Sequence, residues 1–128
     1  MRAIDTNIVI RYLTADDPDQ TAKARAVVDA GEVFVSTTVL LECEWVLRSV
    51  YDFSRHDVIA ALLAFLGMPG VATDNTAVLV RAFDLADSGM DFTDALHLSA
   101  ASECEVMFTF DRRFIRQAAD ASIEVVEP

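Results

Sequence analysis

Short β-branched runs alternate with longer stretches of helical spacing from one end of the chain to the other. That alternation limits the fold more than any single residue does. Ala3–Ile4, Val33–Val35, Val71–Ala72, Val106–Phe110 and Ile123–Val126 read as strands. A helix through Ile8, Ile10 and Leu13 is expected after the first strand, capped by Thr6 or Asn7. Asp16-Asp17-Pro18 opens a second helix, which Gly31 closes. Ser36, Thr37 or Thr38 caps a third, with apolar residues at Val39, Cys43, Val46, Leu47 and Val50. Ser54 with Asp57 starts a fourth, Asp74 caps a fifth, and Asp91 or Thr93 starts a sixth. A last helix runs over Arg112–Ala119. Helices between strands imply an α/β fold, a three-layer α/β/α sandwich with a mostly parallel central sheet. The length of 128 residues suits a single domain over 1–128.

In parallel sheets, ligands bind beyond the carboxyl ends of the strands. That rule selects Asp5, Thr6 and Asn7 after the first strand, and Thr109 and Asp111 at the end of the fourth. It also selects an inward-facing polar residue on the third helix. Glu42 and Glu44 lie about 95° and 105° to opposite sides of that helix's apolar stripe, so helical geometry does not choose between them. Asp91 and Asp94 are spaced as a capping pair, a reading as strong as a functional one. Asp5 and Asp111 also stand where N-caps stand. As a set, the acids gather at one edge of one sheet. Two carboxylates about 4 Å apart repel by roughly 4 kcal/mol at an effective dielectric of 20, so such a cluster takes up protons or cations. Oxygen-only donors suit Mg²⁺ or Mn²⁺ rather than zinc. Beside a phosphodiester, such ions activate water and neutralise the leaving oxygen.

The formal charge of −11, with Lys23 the only lysine, counts against a passive nucleic-acid binder. It agrees with an acidic metal site and with a basic protein partner. No apolar run approaches a membrane span, and the N-terminus has no signal-peptide pattern, so a cytoplasmic location is expected. Cys43 and Cys104 are expected as reduced, partly buried thiols. His56 and His97 lack ligand spacing and are expected to be partly buried, with His97 on the helix face of Asp94.

Four segments carry a resemblance. They are Ile4-Asp5-Thr6-Asn7-Ile8-Val9, Val35-Ser36 with Leu41-Glu42-Cys43-Glu44-Trp45-Val46-Leu47, Asp91-Phe92-Thr93-Asp94-Ala95-Leu96-His97, and Phe108-Thr109-Phe110-Asp111-Arg112-Arg113-Phe114. In this order they resemble PIN-domain nucleases, most closely the VapC-type toxins of bacterial toxin–antitoxin pairs. The resemblance implies Mg²⁺- or Mn²⁺-dependent hydrolysis of RNA, commonly within a dimer, with an antitoxin whose basic tail occupies the active site. It matches the catalytic and metal-binding acids to Asp5, Glu42, Asp94 and Asp111, with Asp91 added to the metal set. The family's spacing from the strand-end serine falls on Glu42 rather than Glu44. Thr6, Asn7 and Thr109 match supporting positions. Arg11, Arg112, Arg113 and Arg116 are the cations nearest these segments and are expected to hold the substrate backbone.

Two rival readings fail on residues. A receiver domain needs a lysine at a late strand end, and Lys23 is elsewhere. A haloacid-dehalogenase-type phosphatase needs an acid where Asn7 stands. A non-catalytic acidic interaction module derived from the same family is the remaining alternative.

Overall fold

Every strand pair in the protein is parallel, so each strand must be followed by a crossover, and helices supply it. The computed structural model describes residues 1–128, and the chain divides into two units, Met1–Thr76 and Ala77–Pro128. No helix is long and apolar enough to cross a membrane.

In the first unit β1 (Arg2–Ala3), β2 (Val33–Phe34) and β3 (Val71–Ala72) form one sheet with β2 central. Arg2 pairs with Val33, and Val33 in turn with Val71. Helices α1 (Thr6–Thr14) and α2 (Pro18–Asp29) join β1 to β2, and α3 (Thr37–Ser49) and α4 (Arg55–Leu66) join β2 to β3. Three of the helix starts form as their sequence signals specify. Asp17 accepts from Gln20 N–H, with Pro18 in the first turn, Ser36 accepts from Val39 N–H, and Ser54 accepts from Asp57 N–H. The core beneath the sheet holds Val9, Val33, Val35, Leu40, Leu47, Val58, Leu62 and Phe65, all essentially excluded from water. Removing a side chain such as Leu47 from it would cost about 2–5 kcal/mol. Gly70 is required where it stands: its φ is +81°, and a Cβ there would lie 2.9 Å from the Cα of Gly31. The turns before β2 and β3 touch at that point, which lets Val33 N–H reach the Gly70 carbonyl at 2.8 Å.

The second unit holds α5 (Thr76–Asp87), α6 (Phe92–Ala100), β4 (Val106–Phe108), α7 (Arg112–Gln117) and β5 (Glu124–Val126). β4 and β5 pair in parallel, with Phe108 opposite Val126. Phe83 and Phe92 stack at 4.9 Å between centroids, holding α5 to α6. Ser99, buried on α6, donates to the Val78 carbonyl on α5 at 2.8 Å.

Three expectations change. The strands are shorter than the apolar runs, most plainly at Val106–Phe110, where pairing stops at Phe108. Asp74 does not cap α5. Its Oδ1 instead accepts from the Thr37 backbone N–H at 3.0 Å and from the Thr37 hydroxyl at 2.6 Å, tying the end of β3 to the start of α3. The thiols also divide, with Cys43 buried and Cys104 exposed.

The Thr37 hydroxyl is the main cause holding the Asp74 carboxyl below its ordinary value. A carboxylate whose folded pKa is depressed contributes stability above its unfolded pKa and loses it as pH falls through the folded value. Asp74→Ala should lower stability by about 1 kcal/mol at neutral pH, the usual scale for losing a hydrogen-bonded cap. Urea unfolding at a series of pH values checks this. The difference from wild type should shrink below the ordinary carboxylate range, ~3.9; a difference independent of pH would show that Asp74 acts without its charge.

Candidate functional site

Asp5 lies two residues past β1 and is the N-cap of α1. Its backbone is extended, and Oδ1 accepts from Ile8 N–H at 3.2 Å. Thr6 and Asn7 are therefore already helical and cap nothing, contrary to the sequence expectation. Thr6 is buried, with its hydroxyl on the Cys43 thiol, and Asn7 is exposed. The capping bond occupies one oxygen of Asp5 and leaves Oδ2 without a hydrogen-bond partner.

The two glutamates of α3 part company. Glu44 is buried, and Arg48 one turn on grips both its oxygens, Nε to Oε2 at 2.6 Å and Nη2 to Oε1 at 3.1 Å. Glu42 faces solvent with no ion-pair or hydrogen-bond partner. The Cys43 thiol ties Glu42 to Asp5. It is pushed up to about 12, first by burial, then by the Glu42 charge, with the Thr6 hydroxyl opposing and Asp5 adding to the rise. In the first unit, then, Asp5 and Glu42 are close enough to act on one buried group.

The second unit assembles Asp91, Asp94 and Asp111. Asp91 caps α6, with Oδ2 accepting from Asp94 N–H at 3.2 Å. Asp111 caps α7, with Oδ1 accepting from Phe114 N–H at 3.1 Å, and its own N–H donates to Thr109 Oγ1 at 3.0 Å. The Asp94 carboxyl is held above its ordinary value by burial first, then by the charges of Asp91 and Asp111, while His97 opposes the shift. Asp94 therefore lies in the field of both neighbouring acids. An open groove of about 550 Å³ begins at Asp94 and Thr109 and takes in His97. His97 and His56 are both exposed rather than partly buried. The groove also includes Phe108, which the sequence reading did not single out; the only signal was a phenylalanine on either side of Thr109.

The arginines differ in their freedom. Arg11 is held by Gln20 at 2.7 Å, Asp16 at 3.3 Å and Tyr51 at 3.1 Å, a network that joins α1, the start of α2 and the end of α3. Its guanidinium is held in this network, unlike the arginines of α7. Arg112 is exposed and pairs with Glu127 at 3.2 Å. Arg113 and Arg116 are exposed on α7.

Nowhere do three acidic, histidine or cysteine side chains close into a ready-made cation cage. What fits a metal here is the chemistry of the donors. Asp91, Asp94 and Asp111 offer hard oxygens whose mutual repulsion already favours an added positive charge.

The sequence profile described as PIN domain matches residues 3–120 of the chain. That span includes Asp5, Glu42, Asp91, Asp94 and Asp111 and every element from α1 to α7. No curated protein sequence matches.

Two outcomes follow from the geometry. Glu44→Ala should cost about 1–3 kcal/mol, because it removes a buried carboxylate together with the two hydrogen bonds it accepts from Arg48, whereas Glu42→Gln should leave stability within about 0.5 kcal/mol of wild type. Equal losses in urea unfolding would mean that the helix faces are misassigned. For Asp94 the sign is opposite to that of Asp74. An acid whose folded pKa is raised loses stability as pH rises through it, so Asp94→Asn should stabilise the metal-free protein at neutral pH. The gain should vanish once the pH falls below ~3.9, where the acid is protonated in both states. Unfolding in the presence of a chelator, at both pH values, measures it.

Proposed function

This chain belongs to the PIN-domain family, a family of nucleases, and from that premise we propose that it is a metal-dependent ribonuclease whose reaction is carried by Asp5, Glu42, Asp94 and Asp111. The observation that carries the proposal is the Asp94 carboxyl, which burial and the neighbouring Asp91 and Asp111 hold in a state that invites a cation. Its α/β/α class is the family's own, and the match runs through both units, which supports treating residues 1–128 as one nuclease domain.

The reading assigns roles by freedom. Asp5 keeps Oδ2 open, Glu42 is unpaired, and Asp94 is shielded but reachable from the groove. Glu44, gripped by Arg48, has no oxygen to offer, which supports Glu42 as the helix acid. Bound Mg²⁺ or Mn²⁺ would supply an acidified water and a counter-charge for the leaving oxygen. The protein's own part is to hold the carboxylates apart at helix N-termini, where the N–H groups of Ile8, Asp94 and Phe114 fix their orientation. Thr109, by accepting from Asp111 N–H, fixes the turn from which Asp111 projects. Arg113 and Arg116, exposed beside Asp111 on α7, are placed to hold substrate phosphates, with Arg112 joining them if Glu127 lets go.

We also propose that the protein acts as the toxin of a toxin–antitoxin pair, as a cytoplasmic homodimer. Two features support a protein partner. The charge of −11 favours a basic tail. Trp45 on α3 is 56% exposed and Val50, just beyond it, 62%, apolar surface of the kind that marks an interface.

Calorimetric titration with Mn²⁺, paired with cleavage of a single-stranded RNA, tests the assignment. Chelation should abolish cleavage. Asp5→Asn, Glu42→Gln and Asp94→Asn should each lower it by at least about a hundredfold, since even outer partners of metal ligands cost 10–100-fold. Glu44→Gln, if folded, should retain most of the activity. Mn²⁺ affinity unchanged in Asp5→Asn and Asp94→Asn would sink the metal assignment and leave a non-catalytic interaction module.

A further inference from the structure

Phe108 is the last residue of β4, and it is 62% exposed although it belongs to the strand's apolar run. Two residues on, Phe110 is 80% exposed. A phenylalanine in an apolar strand normally goes into the core, and this unit buries the phenylalanines of its helices. Phe83, Phe92 and Phe114 are all buried. Phe108 also takes part in neither of the close ring pairs in the protein. Its ring instead forms a wall of the open groove that begins at Asp94 and Thr109. Met107 and Phe114 continue the apolar side, and Asp94, His97 and Thr109 make the polar side. At about 550 Å³ the groove falls within the ~300–1,000 Å³ of small-ligand sites.

We propose that Phe108 is a base-stacking residue: it holds one unpaired nucleobase of a single-stranded RNA in this groove, next to the phosphodiester at Asp94. The proposal rests on the ribonuclease reading above and adds what that reading lacks, a source of grip. At −11 the protein repels a polyanion at long range, and phosphate contacts alone release few counterions. A flat apolar ring contributes affinity that charge does not oppose, and it accepts any base because every base has a π-face. The position suits this role. Phe108 ends a parallel strand, where ligands bind, and Thr109 and Asp94 lie in the same groove. A nucleotide has the matching division, an apolar face joined to a ribose and phosphate that want polar partners. Duplex RNA would not present a free base, so the groove selects loops and single strands.

The experiment uses the full chain with Mn²⁺ and a short single-stranded RNA. Steady-state cleavage is measured for wild type, Phe108→Ala, Phe108→Leu and Phe108→Trp. Phe108→Ala should raise KM by about tenfold and leave kcat within about twofold, and Phe108→Trp should restore KM while Phe108→Leu does not. An abasic nucleotide scanned along the RNA should impair wild type at one position, and there have no further effect on Phe108→Ala. Binding is read separately with the cleavage-deficient Glu42→Gln, a residue that does not line the groove, by quenching of 2-aminopurine placed at that position. Quenching without cleavage in wild type would sink the ribonuclease reading and keep the stacking. Cleavage with an unchanged KM in Phe108→Ala, or abasic and Phe108→Ala effects that simply add, would overturn the stacking and keep the ribonuclease. Loss of protein-partner binding in Phe108→Ala with RNA kinetics unaltered would also overturn it, by assigning the ring to a protein interface.

Discussion

Parallel pairing is the constraint on which the rest of the protein depends. Strands that run the same way cannot be joined by tight turns, so each must end where a helix begins. The residue at that junction has two duties. It leaves an extended strand, and it meets the unpaired N–H groups of a helix's first turn. Asp5 and Asp111 satisfy both, as Ser36 does after β2. A carboxylate is well suited to the task, because one oxygen accepts the N–H and the other remains available. Capping and metal binding are therefore not competing explanations of these acids. At Asp5 and at Asp111 the capping bond uses Oδ1, and both residues are exposed.

Much of the fold was legible because local chemistry decides it. Asp17-Pro18, Ser36 and Ser54 each cap the helix that their sequence context announces. The errors came where a choice between neighbours depends on backbone conformation or on a distant partner. Asp5, Thr6 and Asn7 are all competent caps, and only the extended backbone at Asp5 selects it. Asp74 has the sequence context of a cap, yet its carboxylate turns to Thr37, thirty-seven residues away in the chain. Glu42 and Glu44 are equivalent on a helical wheel. The structure distinguishes them through Arg48, one turn further on, whose guanidinium follows Glu44 inward. An i, i+4 pair of that kind is visible in the sequence, and weighing it would have favoured Glu42 as the open acid without any family comparison.

The charge distribution has a logic of its own. The cations of the first unit are largely committed to structure. Arg11 braces α1 against Asp16, Gln20 and Tyr51, and Arg48 neutralises Glu44. What remains exposed near the acids of the second unit is a short run on α7. A protein built this way does not attract a polyanion from a distance. On the reading proposed above, the substrate is held by contacts made after encounter, which gives exposed groups such as Phe108 more weight than they would have on a basic surface.

Cys43 sits behind the acids of the first unit for a reason that follows from the same electrostatics. It lies on the inner side of α3, fully buried, in the fields of Glu42 and Asp5. An acid there would add a third negative charge with no solvent to screen it. A thiol pushed up to about 12 stays neutral at any physiological pH and adds none. It is also a poor nucleophile and a poor target for oxidation, because both require the thiolate. The hydroxyl of Thr6, buried beside it, gives the sulfur a polar neighbour without adding charge. Asp5 at the start of α1 and Glu42 in the middle of α3 can therefore both act on this region because the layer immediately beneath them is uncharged. Placing a charge in that layer would add to the field that Asp5 and Glu42 already set up around the Cys43 thiol.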